Sequence, residues 1–367
     1  MAAVAHDYAA RLRSAGEAAG GAGLAALLVA PSADLLYLAG YDPPPLERLT
    51  CLVIRPGLDP ILLVPALERP LAEGSTAGEL AEVVAWQETD DPYEVVAEMV
   101  EGDRVGCSDR MWAAHVLRLQ PALPDSEFEA ASGVLAGLRA VKDAEELEFL
   151  GRAARYADET FHRVLQGRLE TMTERDVASR LGELLLETGH ETVAFTIVGS
   201  GPNGASPHHE PTEREIRHGD PVVLDFGGRS GGYCSDVSRT VVVGRLPKDF
   251  DRVYEVVREA QEAAFQAVAP GVPAQEIDRA AREVIRQDGL GDLFVHRTGH
   301  GIGLEEHEAP YIVEGNEEPL RPGMCFSVEP GVYLPGEFGI RIEDIVTVTE
   351  DGAARLNRAT RDLEVVR

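Results

Sequence analysis

With 367 residues the chain is long for one ordinary domain and suits two, and a hydrophobic content of 44% supplies a core for each. Its net charge of −29 argues against nucleic acid and anionic membrane surfaces as partners, because both would repel it. No run approaches the ~20 consecutive apolar residues that cross a bilayer, which argues against a membrane-spanning protein.

The opening Met1-Ala-Ala-Val-Ala-His6-Asp7 lacks the basic and then apolar pattern of a secretory leader. Cys51, Cys107, Cys234 and Cys325 are scattered with no CxxC pair, so a cytoplasmic location with free, reduced thiols is expected. The first third of the chain alternates short apolar runs with helical patterns. Strands are expected at 24–30, 51–54, 61–64, 83–86 and 105–107, and helices at 8–19, 91–100 and 111–119. Such alternation predicts an α/β domain with a mixed sheet. No cluster of His, Cys or acidic residues in it carries chemistry.

The pattern changes near 131–139, and the domains are expected to span 1–132 and 133–367. Leu147, Leu150, Ala154, Ala157, Phe161 and Val164 recur at three- and four-residue steps and mark one face of a long helix. Thr173-Glu-Arg-Asp176 resembles a capping box and opens a second helix through Leu181, Leu184 and Leu185. A strand at 193–198 and a Gly/Pro/Ser-rich loop at 199–207 follow. The same order then recurs. A helix with Val253, Val257, Ala260, Ala264 and Val268 on one face ends at Pro270-Gly271, and another centres on Ile277, Ala281 and Ile285.

Each half closes on a strand–turn–strand ribbon carrying two acids. In the first, a turn between Ser230 and Gly231 sets Asp225 opposite Asp236. In the second, a turn centred on Gly336 sets Glu329 opposite Glu343. Directly paired side chains have Cβ atoms ~4.5–5.5 Å apart on one face. Carboxylates that close, inside apolar runs, repel unless a proton or a cation is shared, so a metal site is expected. Three loop histidines flank the ribbons: His208 in Ser-Pro-His-His, and His300 and His307 in Arg-Thr-Gly-His-Gly-Ile-Gly-Leu-Glu-Glu-His. The glycines around His300 do not form a GxGxxG phosphate cradle and are read as allowing close backbone approach to a ligand or metal.

Asp225 and Asp236, His300 in Thr-Gly-His-Gly-Ile-Gly, Glu329 in Val-Glu-Pro-Gly and Glu343 in Arg-Ile-Glu-Asp together resemble the five-ligand signature of the pita-bread metallopeptidases. That family includes prolidase, aminopeptidase P and methionine aminopeptidase. The resemblance implies an α+β pita-bread catalytic domain with an internal pseudo-two-fold repeat, behind an α/β domain of the creatinase/prolidase N-terminal type. It implies two divalent cations, Mn2+ first, with Co2+ or Zn2+ as alternatives. Asp225 would chelate one ion and His300 the other, with Glu329 beside His300, while Asp236 and Glu343 would bridge. His208 and His307 would meet the substrate or its developing oxyanion, and Glu329 would carry a proton to the leaving nitrogen. His209 matches no fixed role.

The same resemblance implies hydrolysis of Xaa-Pro bonds in small proline-containing peptides, by a homodimer joined through the N-terminal domain. Within the family the pattern is most similar to short bacterial Xaa-Pro dipeptidases, with aminopeptidase P, which takes longer peptides, as the alternative. Many prolidases carry an arginine just after the His-Glu-x-Pro motif to hold the product carboxylate. Here Tyr311 stands in that slot, and Arg341 is the expected substitute. A creatinase-like hydrolase or a non-catalytic binding module should have lost ligands, and none is lost.

Overall fold

Strands that are apolar at every position need cover on both faces, and the first third of the chain meets that demand with one mixed sheet. The computed structural model describes residues 6–366 and divides into two units, Met1–Arg139 and Ala140–Arg367. The Met1–Ala5 stretch of the expected leaderless N-terminus lies outside the described residues.

In the first unit β1 (Ala26–Val29), β2 (Cys51–Ile54) and β3 (Ile61–Pro65) are buried throughout, and they pair antiparallel. β4 (Glu82–Trp86), β5 (Arg104–Cys107) and β6 (Glu127–Ala130) add in parallel, giving the order β4-β3-β2-β1-β5-β6. β6 was missed in the sequence because Glu-Phe-Glu-Ala offers one large apolar residue on an exposed edge. The expected helix at 91–100 forms over Pro92–Ala97, where the Asp91 side chain accepts the Tyr93 N–H and Pro92 occupies the first turn. The four cysteines are buried and free.

The second unit repeats one plan. Helices Ala144–Leu165 and Glu174–Thr188 both begin with reciprocal capping boxes, Asp143 with Glu146 and Thr173 with Asp176. They precede β7 (Thr192–Ser200), β8 (Pro221–Ser230), β9 (Tyr233–Cys234) and β10 (Val237–Val243). Phe161, Leu181 and Leu185 pack with Val222, Leu224 and Val241 into one core. Helices Phe250–Ala267 and Ala274–Gln287 then precede β11 (Gly299–Gly301), β12 (Glu308–Ile312), β13 (Cys325–Val328), β14 (Gly331–Leu334), β15 (Phe338–Arg341), β16 (Asp344–Thr349) and β17 (Gly352–Arg355). Val257, Ala281, Phe326 and Val346 share the second core. Full burial of one such large apolar side chain stabilises the fold by roughly 1.5–3 kcal/mol. A last strand, β18 (Val365–Val366), pairs with β10.

The first ribbon differs from its expected register. Ser230 pairs with Tyr233, Phe226 with Val237, and Asp225 with Ser238, so Asp236 does not stand directly opposite Asp225. The turn is Gly231-Gly232, with φ of +62° and +82°. A two-residue hairpin turn of this hand needs positive φ at both centres, which two glycines provide and Ser230 would not. The displacement is two residues, so parity survives: Asp225 and Asp236 become diagonal neighbours on the same face. The second ribbon keeps the expected register, with Leu334 on Phe338 and Val328 on Asp344 about Gly336. Glu329 and Glu343 occupy the break between the β13/β16 ladder and the β14/β15 ladder.

Candidate active site

A backbone that leaves its ladder frees side chains to turn together, and most of the site's acids sit at such points. Asp236 lies between β9 and β10, Glu329 just after β13, and Glu343 just before β16. Two of these breaks are closed by neighbouring backbone: the Glu343 N–H donates to Ser238 O at 3.0 Å, and the Glu329 N–H to Thr298 O at 2.8 Å. Asp225 is held inside β8 and His300 inside β11. All seven expected residues (His208, Asp225, Asp236, His300, His307, Glu329 and Glu343) line one cavity of about 420 Å³.

The glycines beside His300 serve a different purpose from the one expected. A Cβ on Gly299 would lie 1.8 Å from Ser327 O, and one on Gly301 would lie 2.2 Å from Ala309 O. They allow β11 to fit between β12 and β13, and no ligand is needed to explain them. The imidazole of His300 is then oriented by its surroundings. Its Nδ1 lies 3.1 Å from Gly301 O, so Nδ1 carries the hydrogen and Nε2 presents a bare lone pair. That Nε2 is 3.3 Å from Glu329 Oε1 and 3.8 Å from Asp236 Oδ2. Ser327 joins the two, its Oγ accepting the His300 N–H and donating to Glu329 Oε1, both at 3.0 Å.

Electrostatically the pocket is a cluster of acids short of cations. Burial, then the charge of Asp225, pushes Asp236 well above the usual carboxylate range, and burial with the Asp236 charge does the same to Glu343. Burial lifts Glu329 to about 7. Burial, then the neighbouring His307, lowers His300 to about 3, so its imidazole is neutral. Asp225 Oδ1, Asp236 Oδ1 and Glu343 Oε1 are buried with no hydrogen-bond partner among the described residues. Donor atoms of Asp236, His300 and Glu343 lie within 4.8 Å of one another. Orphaned carboxylate oxygens converging beside an imidazole lone pair fit divalent cations, which would satisfy all of them at once.

The expected role of Arg341 does not hold. Buried to 4% exposure, it pairs with Asp225, donates to Ser238 Oγ and Tyr333 Oη at 2.9 Å each, and to Pro207 O at 3.2 Å. Its donors are spent on the site's own framework. From Tyr333 the chain of bonds continues: the phenol donates to His296 Nε2 at 2.9 Å, and His296 Nδ1 donates to Arg297 O at 2.7 Å. Donor roles here follow from the network.

Sequence reasoning missed several lining residues, among them Phe195, Ile197, His296, Arg297 and Glu306. Arg297 lies three residues before His300, and its guanidinium stacks 4.5 Å over the Tyr311 ring without an ion-pair partner among the described residues. Glu306 is paired with Arg229 at 2.9 Å. His209 is turned away from the cavity, its Nε2 bonded to Glu174 at 2.8 Å.

An α/β unit followed by a twice-repeated helix-pair-and-sheet unit, with Asp225, Asp236, Glu329, Glu343 and His300 in one pocket, defines a class. The chain belongs to Metallopeptidase family M24, whose model matches residues 148–350, and carries a Creatinase/Prolidase N-terminal domain over residues 11–141. It is therefore a pita-bread hydrolase whose family works with divalent metal ions.

Among its relatives, a Mycobacterium tuberculosis protein named "Probable dipeptidase PepE" is 46% identical over 98% of this chain and 96% of its own. A protein of Lactobacillus helveticus named "Xaa-Pro dipeptidase" is 38% identical over 90% of this chain and 92% of its own. The crystal structure of dipeptidase PepE from Mycobacterium ulcerans superposes with a TM-score of 0.95 at 45% identity, covering 98% of each chain. No helix among the described residues is long and apolar enough to cross a membrane.

Proposed function

We propose that this enzyme is an Xaa-Pro dipeptidase working with two divalent ions, Mn2+ first and Co2+ or Zn2+ as alternatives. The observation that carries the reading is the three orphaned oxygens of Asp225, Asp236 and Glu343 in one cavity with His300 and Glu329. The names of the relatives support the substrate class.

Asp225, Asp236, His300, Glu329 and Glu343 would hold the ions, which in such pairs activate a water and polarise the scissile carbonyl. Glu329 would take a proton from the attacking water and hand it to the leaving nitrogen. The proline nitrogen needs that proton to leave as a neutral amine. His208 and His307 line the same cavity and would donate toward the developing oxyanion. Phe195 and Ile197 offer an apolar wall for substrate. Arg297 is the cavity's uncommitted cation and would hold the C-terminal carboxylate of a dipeptide, the part expected of Arg341.

A homodimer through the N-terminal unit, a domain limit at 132/133 and a cytoplasmic location belong to the same proposal. Metal-stripped protein given Mn2+, Co2+ or Zn2+ should cleave Ala-Pro-type dipeptides and leave Ala-Pro-Ala-type tripeptides intact. Equal cleavage of both would make it an aminopeptidase P, and no cleavage of either would remove the reading.

A further inference from the structure

Glu174 is the first residue of its helix, yet the cap of that helix is already supplied by Thr173 and Asp176. Its carboxylate is fully buried and looks the other way, into the segment from Ser200 to Thr212. Oε1 accepts the Ser200 N–H at 2.8 Å and the Ser200 hydroxyl at 2.7 Å. Asn203 Nδ2 reaches Oε1 and Oε2 at 3.0 and 3.1 Å. Oε2 accepts from His209 Nε2 at 2.8 Å, from the Thr212 N–H at 3.1 Å and from the Thr212 hydroxyl at 2.7 Å. Every lone pair of a buried charge is thus used on one loop, by donors that a neutral amide could not all satisfy.

That loop carries His208 into the cavity. Its carbonyl at Pro207 is held by Arg341, the residue bonded to Asp225, and its next side chain, His209, is held by Glu174. His208 is therefore the one residue between two anchors, one tied to the acid cluster and one to the buried carboxylate.

We infer that Glu174, acting through His209 and the 200–212 loop, is the positioning residue that aims His208 at the substrate. This rests on the proposed peptidase reading, in which His208 meets the scissile group. Glu174 itself touches no substrate. A purely structural Glu174 would lower stability without a specific link to His208, and a positioning Glu174 must share its effect with that histidine. A catalytic geometry displaced by about 1 Å loses on the order of a hundredfold in rate.

The test is a double-mutant cycle on full-length, metal-loaded enzyme with an Xaa-Pro dipeptide, using Glu174→Gln, His208→Ala and the double variant. Glu174→Gln should lower kcat at least ten-fold with KM and bound metal little changed. The double variant should be no slower than His208→Ala alone, because the aim of an absent imidazole no longer matters. Multiplicative losses, or wild-type kcat in Glu174→Gln, overturn the inference.

Should Glu174→Gln fail to fold, His209→Ala keeps the Ser200, Asn203 and Thr212 bonds and replaces it in the same cycle, with a smaller loss expected and the same criterion. In metal-free protein, the imidazole 1H–15N signals of His208 should shift or broaden when Glu174 or His209 is changed. Unmoved His208 signals count against the proposal. A wild type inactive on Xaa-Pro peptides would remove the substrate reading alone, since the spectrum still reports the coupling.

Discussion

Arg341 and Asp225 form a buried ion pair between the two halves of the catalytic unit, joining β15 to β8 across 116 positions of sequence. Removing one partner of a buried pair strands the other, at a cost of about 3–5 kcal/mol. Arg341→Gln should therefore lower stability by several kcal/mol in urea unfolding, with a matching fall in metal affinity. A loss under about 1 kcal/mol would mean that solvent or a rearranged neighbour already serves Asp225.

Asp236 contributes an orphaned oxygen and sits within ligand reach of His300 and Glu343. Asp236→Ala should lose bound metal and turnover together, measured by elemental analysis beside dipeptide hydrolysis. Full turnover in metal-free protein would leave the proposed chemistry without support.

Stripping the metal should also change how stability depends on pH. Glu329 is raised to about 7 in the fold from an ordinary 4.5. The folded state then holds its proton more tightly than the unfolded state does. The stabilisation is complete below about 4.5 and disappears as pH rises through about 7, and the raised Asp236 and Glu343 act in the same direction. Thermal scans of stripped protein should show this decline, and added Mn2+ should abolish it. A flat profile in the stripped protein would contradict the assigned environment of Glu329 and the acids beside it.

Glu174 has the opposite sign. Burial alone would raise its carboxyl, but hydrogen bonds from Thr212, His209 and Ser200 outweigh that and bring it down to about 2 from 4.5. Its contribution is present above about 4.5 and is lost as pH falls through about 2, up to about 3 kcal/mol. The stability gap between wild type and Glu174→Gln should be largest near neutral pH and narrow below about 4. A gap independent of pH would mean that the carboxylate charge is not what those donors require.

Arg297→Met tests the carboxylate anchor. A charge-assisted hydrogen bond contributes about 1.5–3 kcal/mol, so kcat/KM for dipeptides should fall roughly ten- to a hundredfold, chiefly through KM. Dipeptide amides, lacking the carboxylate, should be cleaved equally by both proteins. An equal loss on the amides would move the role of Arg297 elsewhere.

Much of this molecule was legible before any coordinates. The capping boxes at Asp143 and Thr173 and the apolar faces through Leu150 and Val253 are short-range signals, set by residues a turn apart. The register of the second ribbon is legible because Gly336 defines its turn alone. Asp225 and Asp236 were placed on the right face but in the wrong register, because three nearby glycines besides Gly231 left the turn open until their φ angles were known. The glycines flanking His300 were assigned to a ligand because sequence does not show which backbone a strand will meet.

The amino-acid order by itself determined which side chains could bind cations and on which face of each ribbon they stand, since strand periodicity and residue chemistry are local properties. Only the tertiary structure decided how those charges are compensated. It committed Arg341 to Asp225, left Arg297 stacked on Tyr311 and turned Glu174 and His209 toward the loop of His208. A buried charge takes whichever donor the assembled interior brings within reach, and that donor can come from more than a hundred residues away.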